Sequence, residues 1–212
     1  NDILYINSKD NDYRLSLDEL IKVLDKVDTL IVISPDNPSG SHLTYDETIK
    51  LLDTASEKNK QVIFDESFID FADDNYTLIN DDILNKYSNL IVIKSISKSY
   101  GVPGLRLGVL ASGNKEYLDI INKNLPVWNI NSFGEYYLQI AEKYKKDYAA
   151  AMDKFRVERK RFYNELEQIS GIRVIPSQAN YFMIEITNGM TAKELMIKLF
   201  KNHYLLIKDL TS

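Results

Sequence analysis

The chain is 212 residues long, enough to bury a real core in one large domain or one and a half. With 44% apolar and 27% charged residues it has the balance of a folding globular protein, and a net charge of −5 with Lys and Arg scattered among Asp and Glu argues against nucleic acid or an anionic membrane as partner. The lack of cysteine excludes disulfides and thiolate metal sites, and the two histidines, His42 and His203, lie too far apart in sequence to suggest a ligand cluster.

The opening segment, NDILYINSKDND, lacks the basic-then-apolar pattern of a signal peptide. No apolar run approaches the roughly 20 residues that span a bilayer, which together with the absence of cysteine predicts a cytoplasmic protein without a membrane partner. Residues 15–27 carry apolar side chains at helical spacing, and so do residues 45–59. Three short runs, LIVIS at 30–34, QVIF at 61–64 and LIVI at 90–93, show no polar alternation and read as strands buried on both faces of a parallel sheet. The order is helix, strand, helix, strand, a short connection and a third strand, which predicts an α/β layered domain. Past Gly108, residues 114–122 read as a short helix and residues 132–169, free of proline, as one or two long charged helices bridging two lobes. GIRVIP at 171–176, YFMIEI at 181–186 and YLLIK at 204–208 read as strands, with an amphipathic helix at 191–202 between the last two. The expected division is residues 1–130 as part of a large domain, 131–160 as a bridging helix and 161–212 as part of an α+β small domain.

Ligands of doubly wound sheets sit at the carboxyl ends of the strands. Polar residues gather there: SPDNPSG at 34–40, DESF at 65–68 and SISK at 95–98. One crevice would collect Asn37, Asp65, Ser95, Ser97 and Lys98. Singly, each has an ordinary explanation, since DNPSG is a good turn sequence, Asp65 can cap the segment beyond its strand, and Lys98 can be a solvated lysine. The stretch SISKSYGVPGLRLG at 95–108 is harder to explain that way, with Ser95, Ser97, Lys98, three glycines and Arg106 directly after a strand. Glycines let backbone N–H groups approach an anion, hydroxyls donate to phosphate oxygens, and an arginine fork matches phosphate bidentately. The GxxxxGK[ST] pattern is absent, so Walker-type nucleotide binding is unsupported.

NPSG, DESFIDF at 65–71 and SISKSYGVPGLRLG resemble, in order and approximate spacing, the three signature segments of fold-type I, pyridoxal-phosphate (PLP) dependent class I/II aminotransferases. The resemblance implies a mostly parallel sheet with flanking helices followed by an α+β small domain. It also implies PLP as cofactor, an amino donor and a keto-acid acceptor as substrates, and a homodimer with the site at the subunit boundary. Lys98 would hold the cofactor as a Schiff base and, once released, act as general base. Its amine must be neutral for this, although an ordinary lysine titrates near ~10.4. Asp65 would hold a proton on the pyridine nitrogen. Asn37 would donate to the phenolic oxygen, and Ser95, Ser97 and Arg106 would hold the phosphate.

Many members carry tyrosine at the position of Phe68. Phenylalanine there, with VPGLRLG, PVWNINSF at 126–133, Asn131 and SQANY at 177–181, is similar to the threonine-phosphate decarboxylase branch of the histidinol-phosphate aminotransferase-like group. Transaminases of aminophosphonates or other phosphorylated amines share these features, and transamination and decarboxylation stay open. The resemblance covers essentially the whole chain, but the chain covers only the middle and later portion of the family, so it reads as a fragment that is inactive alone. Two other readings are a receiver-like signalling domain, disfavoured because no acidic pair follows an early strand before Asp36 to hold Mg²⁺, and a non-catalytic interaction module.

Overall fold

A computed structural model describes residues 3–4 and 8–211; the start of the NDILYINSKDND segment and the last residue of KDLTS lie outside the described residues. Three parallel strands, β1 (Thr29–Ile33), β2 (Gln61–Asp65) and β3 (Leu90–Ser95), stand side by side in chain order. Their register aligns Ile33 with Asp65 and Asp65 with Ile93, so β1 and β2 finish level and β3 runs two residues further, to Ser95. A fourth strand, β4 (Gly108–Ala111), pairs antiparallel with β3 and places Gly108 opposite Ser95. The sequence reading has no strand here, because a four-residue run carries too little pattern by itself and becomes a strand through the ladder that β3 offers.

Helix α1 (Leu17–Leu24) starts where the Ser16 hydroxyl accepts from the Glu19 N–H. Helix α2 (Tyr45–Glu57) starts on a capping box in which Thr44 and Glu47 satisfy each other's backbone N–H groups. Leu24 of α1 and Leu51, Leu52 and Ala55 of α2 bury themselves against Val32, Val62, Phe64, Leu90 and Val92 on one face of the sheet. Each such side chain contributes about 1.5–3 kcal/mol. The opposite face is open: Ile31 is 65% exposed, and Ile33 and Ile93 are 37% exposed. The strands are therefore not buried on both faces as their apolar runs suggest, because α1 and α2 cover the same side and no described element covers the other.

The connection from β2 to β3 is also longer than expected. It holds a 3-10 turn at Ile69–Phe71 and α3 (Asp81–Lys86), capped by Asn80, a helix too short to display its period in sequence. After β3 come the one-turn helix α4 (Ile96–Ser99), a 3-10 turn at Pro103–Leu105 and, beyond β4, α5 (Lys115–Asn124). The long helical stretch divides into α6 (Ser132–Ala141), a 3-10 turn and α7 (Lys145–Glu167). Strands β5 (Ile172–Val174) and β6 (Ile184–Ile186) form an antiparallel pair, followed by α8 (Ala192–His203).

Only the end of YFMIEI is strand; Tyr181 and Met183 are drawn into packing instead. YLLIK is not a strand at all. Tyr204 takes a left-handed φ of 56° at the end of α8, and Leu205 and Leu206 are exposed with no ladder partner among the described residues. A second apolar cluster joins Phe68 and Phe71, after β2, to Ala179, with Met152 and Phe155 of α7 and Tyr181 packed against it. The architecture is α/β, as expected. No described helix is long and apolar enough to cross a membrane.

Candidate active site

The strand ends are tied together before any functional side chain is considered. The Ser34 N–H donates to the Asp65 carbonyl at 3.0 Å, and the Glu66 N–H to the Ile93 carbonyl at 2.9 Å, so the ladder continues one residue past the strands. Beyond β1 the chain folds into a turn around Asp36. Its carboxylate accepts from the Ser39 hydroxyl at 2.6 Å, and its carbonyl accepts from the Gly40 N–H at 2.7 Å. This leaves Asn37 exposed at the tip. Gly40 has φ +74°, and a Cβ there would collide with the Ser177 hydroxyl, so only glycine fits.

Asp65 ends β2 half-buried, with Oδ1 accepting from the Ser67 N–H at 2.9 Å and Oδ2 without a partner among the described residues. The Ser67 hydroxyl accepts from the Ser95 N–H at 2.9 Å, which fixes the end of β2 to the start of α4. Ser95 itself makes no side-chain capping bond to that helix. Along α4 the exposure alternates: Ser97 and Ser99 are buried, while Lys98 is exposed. The Lys98 Nζ lies 5.8 Å from the centroid of the Phe68 ring and has no carboxylate partner among the described residues. Lys94, one turn earlier in sequence, differs in that its Nζ is 2.8 Å from Asp70 and 3.8 Å from Glu66. An amine already engaged by carboxylates is poorly placed to attack a carbonyl carbon, so of these two lysines Lys98 is the one placed to act as a nucleophile.

Arg106 is exposed, with a left-handed φ of 57°, and donates to the Pro103 carbonyl at 3.2 Å. The pairing of Gly108 with Ser95 and the bond from the Ile96 N–H to the Leu107 carbonyl at 3.2 Å bring it beside the start of α4. Backbone and side-chain bonds thus tie the segments that carry Asp65, Ser95, Lys98 and Arg106 together. The buried Ser97 hydroxyl is taken up in the same network, donating to the Leu107 carbonyl at 3.4 Å. Asn37 approaches from the β1 side on the turn that SQANY holds.

That hold is the part sequence reasoning did not place. The Tyr181 hydroxyl donates to the Asp36 carbonyl at 2.9 Å while its ring meets Phe68 edge-on at 5.1 Å. Burial raises the Tyr181 phenol above its ordinary value, and the charges of Asp36 and Asp65 push the same way. The Gln178 N–H donates to the Gly40 carbonyl at 2.8 Å. Arg159 of α7, 7% exposed, donates to the carbonyls of Phe71 at 2.5 Å and Gln178 at 2.9 Å and pairs with Asp73 at 2.8 Å. An arginine on the otherwise charged face of a long helix carries no sequence mark that separates it from its neighbours; SQANY was at least visible as a motif.

A family model described as aminotransferase class I and II matches residues 2–211. The chain is 32% identical over 200 residues to the CMP-5'-(3-aminopropyl)phosphonate synthase of Streptomyces rubellomurinus, covering 93% of this chain and 32% of that one. It is 30% identical over 206 residues to an L-serine phosphate decarboxylase of Campylobacter jejuni, covering 94% and 52%. Among solved structures, a decarboxylase from Sulfurospirillum multivorans superposes with a TM-score of 0.85 at 29% identity, covering 96% of this chain and 53% of the other. The histidinol-phosphate aminotransferase from Clostridium acetobutylicum gives 0.77 at 30% identity, covering 89% and 56%. The chain spans between a third and about half of the length of these relatives.

Proposed function

This chain belongs to the class I and II aminotransferase family, and we propose that the protein carrying it is a PLP enzyme that transfers the amino group of a phosphorylated amino acid or amine, in the manner of the histidinol-phosphate aminotransferases it resembles. The observation that carries the reading is that Asp65 ends β2 while Lys98, without a carboxylate partner among the described residues, lies on α4 directly beyond the neighbouring parallel strand β3. The donor set suits that cofactor: a carboxylate with one oxygen uncommitted for a ring N–H, an amine without an ion-pair partner for an aldehyde, and an exposed amide and guanidinium.

When bound, PLP supplies a sink for the electron pair left at the substrate's α carbon. Lys98 would hold the cofactor through its aldehyde and, when its amine is free, would take a proton from the substrate's α carbon. Asp65 would keep a proton on the ring nitrogen, and the Ser67 N–H on Oδ1 leaves Oδ2 for that contact. Asn37 donates to the phenolic oxygen, held in place by the Tyr181 and Gln178 bonds to its turn. Ser95 and Arg106 bind the phosphate, and Ser97 joins them only by turning its hydroxyl away from the Leu107 carbonyl.

The proposal extends to a large domain ending near residue 130, a bridging helix to about 160 and a small domain beyond it. It also makes the protein a homodimer, supported by the exposed apolar run in which Val127, Trp128 and Phe133 are 84%, 93% and 80% exposed. A second reading, decarboxylation of a phosphorylated amino acid, is favoured by the similarity to the serine phosphate decarboxylase and by the superposition on the decarboxylase structure.

Borohydride reduction of the protein purified with PLP, followed by peptide mapping, is expected to find the pyridoxyl label on Lys98; a label elsewhere sinks the reading. Assays with histidinol phosphate, threonine phosphate, serine phosphate and an aminoalkylphosphonate then separate the two reactions. Turnover that requires a keto acid marks transamination, and CO₂ release without one marks decarboxylation.

A further inference from the structure

A second group of ionisable side chains lies directly under α4, and the chemistry above does not use it. The Asp70 carboxylate accepts from Lys94 Nζ at 2.8 Å and from the Ser99 hydroxyl at 2.6 Å, and its carbonyl accepts from Arg156 at 3.0 Å. Glu66, fully buried, completes the group 3.8 Å from Lys94, and its two oxygens accept from the Thr77 hydroxyl at 2.6 Å and the Leu78 N–H at 2.8 Å. Tyr148 of α7 closes the far side with its ring stacked on Tyr100 at 4.1 Å. Its hydroxyl is buried beside Ser99 and Asp70, and burial and the Asp70 charge raise its phenol.

Ser99 comes directly after Lys98 in the chain. Helix α4 has four residues and no side-chain cap, and the other inward bond, from Ser97, is long at 3.4 Å. The short bond from Ser99 to a charged acceptor therefore restrains how α4 is rolled, alongside the stacking of Tyr100 on Tyr148, and the roll sets where the exposed Lys98 amine points. The Lys94 ion pair at 2.8 Å holds the Asp70 side chain at the site.

We propose that Asp70 and Ser99 are positioning residues for Lys98, fixing the roll of α4 so that the amine is aligned with Asp65. This rests on the functional reading above. A displacement of about 1 Å in a reacting group costs on the order of a hundredfold in rate, so loosening one anchor is expected to show in turnover before it shows in folding.

The test uses the PLP-loaded protein. S99A leaves every charge in place; it is expected to diminish the circular dichroism that the bound cofactor shows in its visible band and to lower kcat about tenfold, with KM for the amino donor within about twofold. D70N, which keeps an acceptor for Ser99 but loses the Lys94 pair, is expected to fall between S99A and the unaltered protein. T77V, which disturbs Glu66 without touching Ser99, serves as the control and is expected to lower Tm while leaving the visible signal intact. If S99A leaves the visible signal and kcat unchanged, or T77V changes them as much, the assignment is overturned while the function stands. If the unaltered protein takes no borohydride-stable label, the function fails and this assignment falls with it.

Discussion

At the scale of single residues, the site separates two lysines and two acids by what surrounds them. Among the described residues Lys98 lacks a carboxylate partner while Lys94 has two, and Asp65 is half-buried while Glu66 is sealed in. Burial raises the Glu66 carboxyl above its ordinary value, opposed by the bonds from Thr77 and Leu78 and by the Lys94 charge. The folded chain therefore holds this proton at a pH where the unfolded chain has released it. Its contribution to stability is full below the unfolded value and is lost as pH rises through the folded one. Glu66→Gln cannot titrate, so the stability of the unaltered protein relative to this variant is expected to be greatest near about pH 4 and to shrink toward about pH 7. Thermal melts across that range measure it, and a difference that grows with pH contradicts the direction. Asn37, Asp65, Lys98 and Arg106 were visible in sequence because turn, strand-end and glycine-rich contexts are local; Ser99 and Asp70 were not, since nothing in either segment says that they meet.

At the scale of elements, α7 ties together segments far apart in the chain. Arg159 joins the helix to the segment after β2 and to SQANY, and SQANY in turn holds the turn that presents Asn37. Arg159→Met keeps the stem but leaves the Phe71 and Gln178 carbonyls without this donor, and is expected to cost about 2–4 kcal/mol in urea unfolding. The same variant is expected to weaken PLP retention, read by dialysis and residual visible absorbance, because the Asn37 turn loses its support. A variant that loses stability but retains cofactor at the ordinary level would separate the helix from the site. The strands β1 to β3 and helices α1, α2 and α8 were legible because their apolar spacing or short apolar runs are written within each segment. Strand β4, α3 and the loss of YLLIK as a strand were not, because a run of four to six residues becomes regular or irregular according to whether a neighbour offers it a ladder or a surface.

At the scale of the whole molecule, the open sheet face and the exposed run between β4 and α6 mark apolar surface that the described elements leave uncovered. If the run around Trp128 is the homodimer contact, Trp128→Lys is expected to shift the protein toward monomer by at least about tenfold in dissociation constant, measured by sedimentation equilibrium. An unchanged dimer moves the contact elsewhere. By itself the sequence determined the family-like order of the three signature segments and the α/β class, and it supplied the residues of the proposed cofactor end, because these depend on residue chemistry and short-range spacing. Tertiary structure alone decided that the strands are covered on one face, that SQANY grips the Asn37 turn, that Lys94 is paired and Lys98 is not, and that Asp70 reaches Ser99. Those outcomes depend on which distant segments pack together, and a contact between residues separated by tens of positions leaves no periodic trace in the chain.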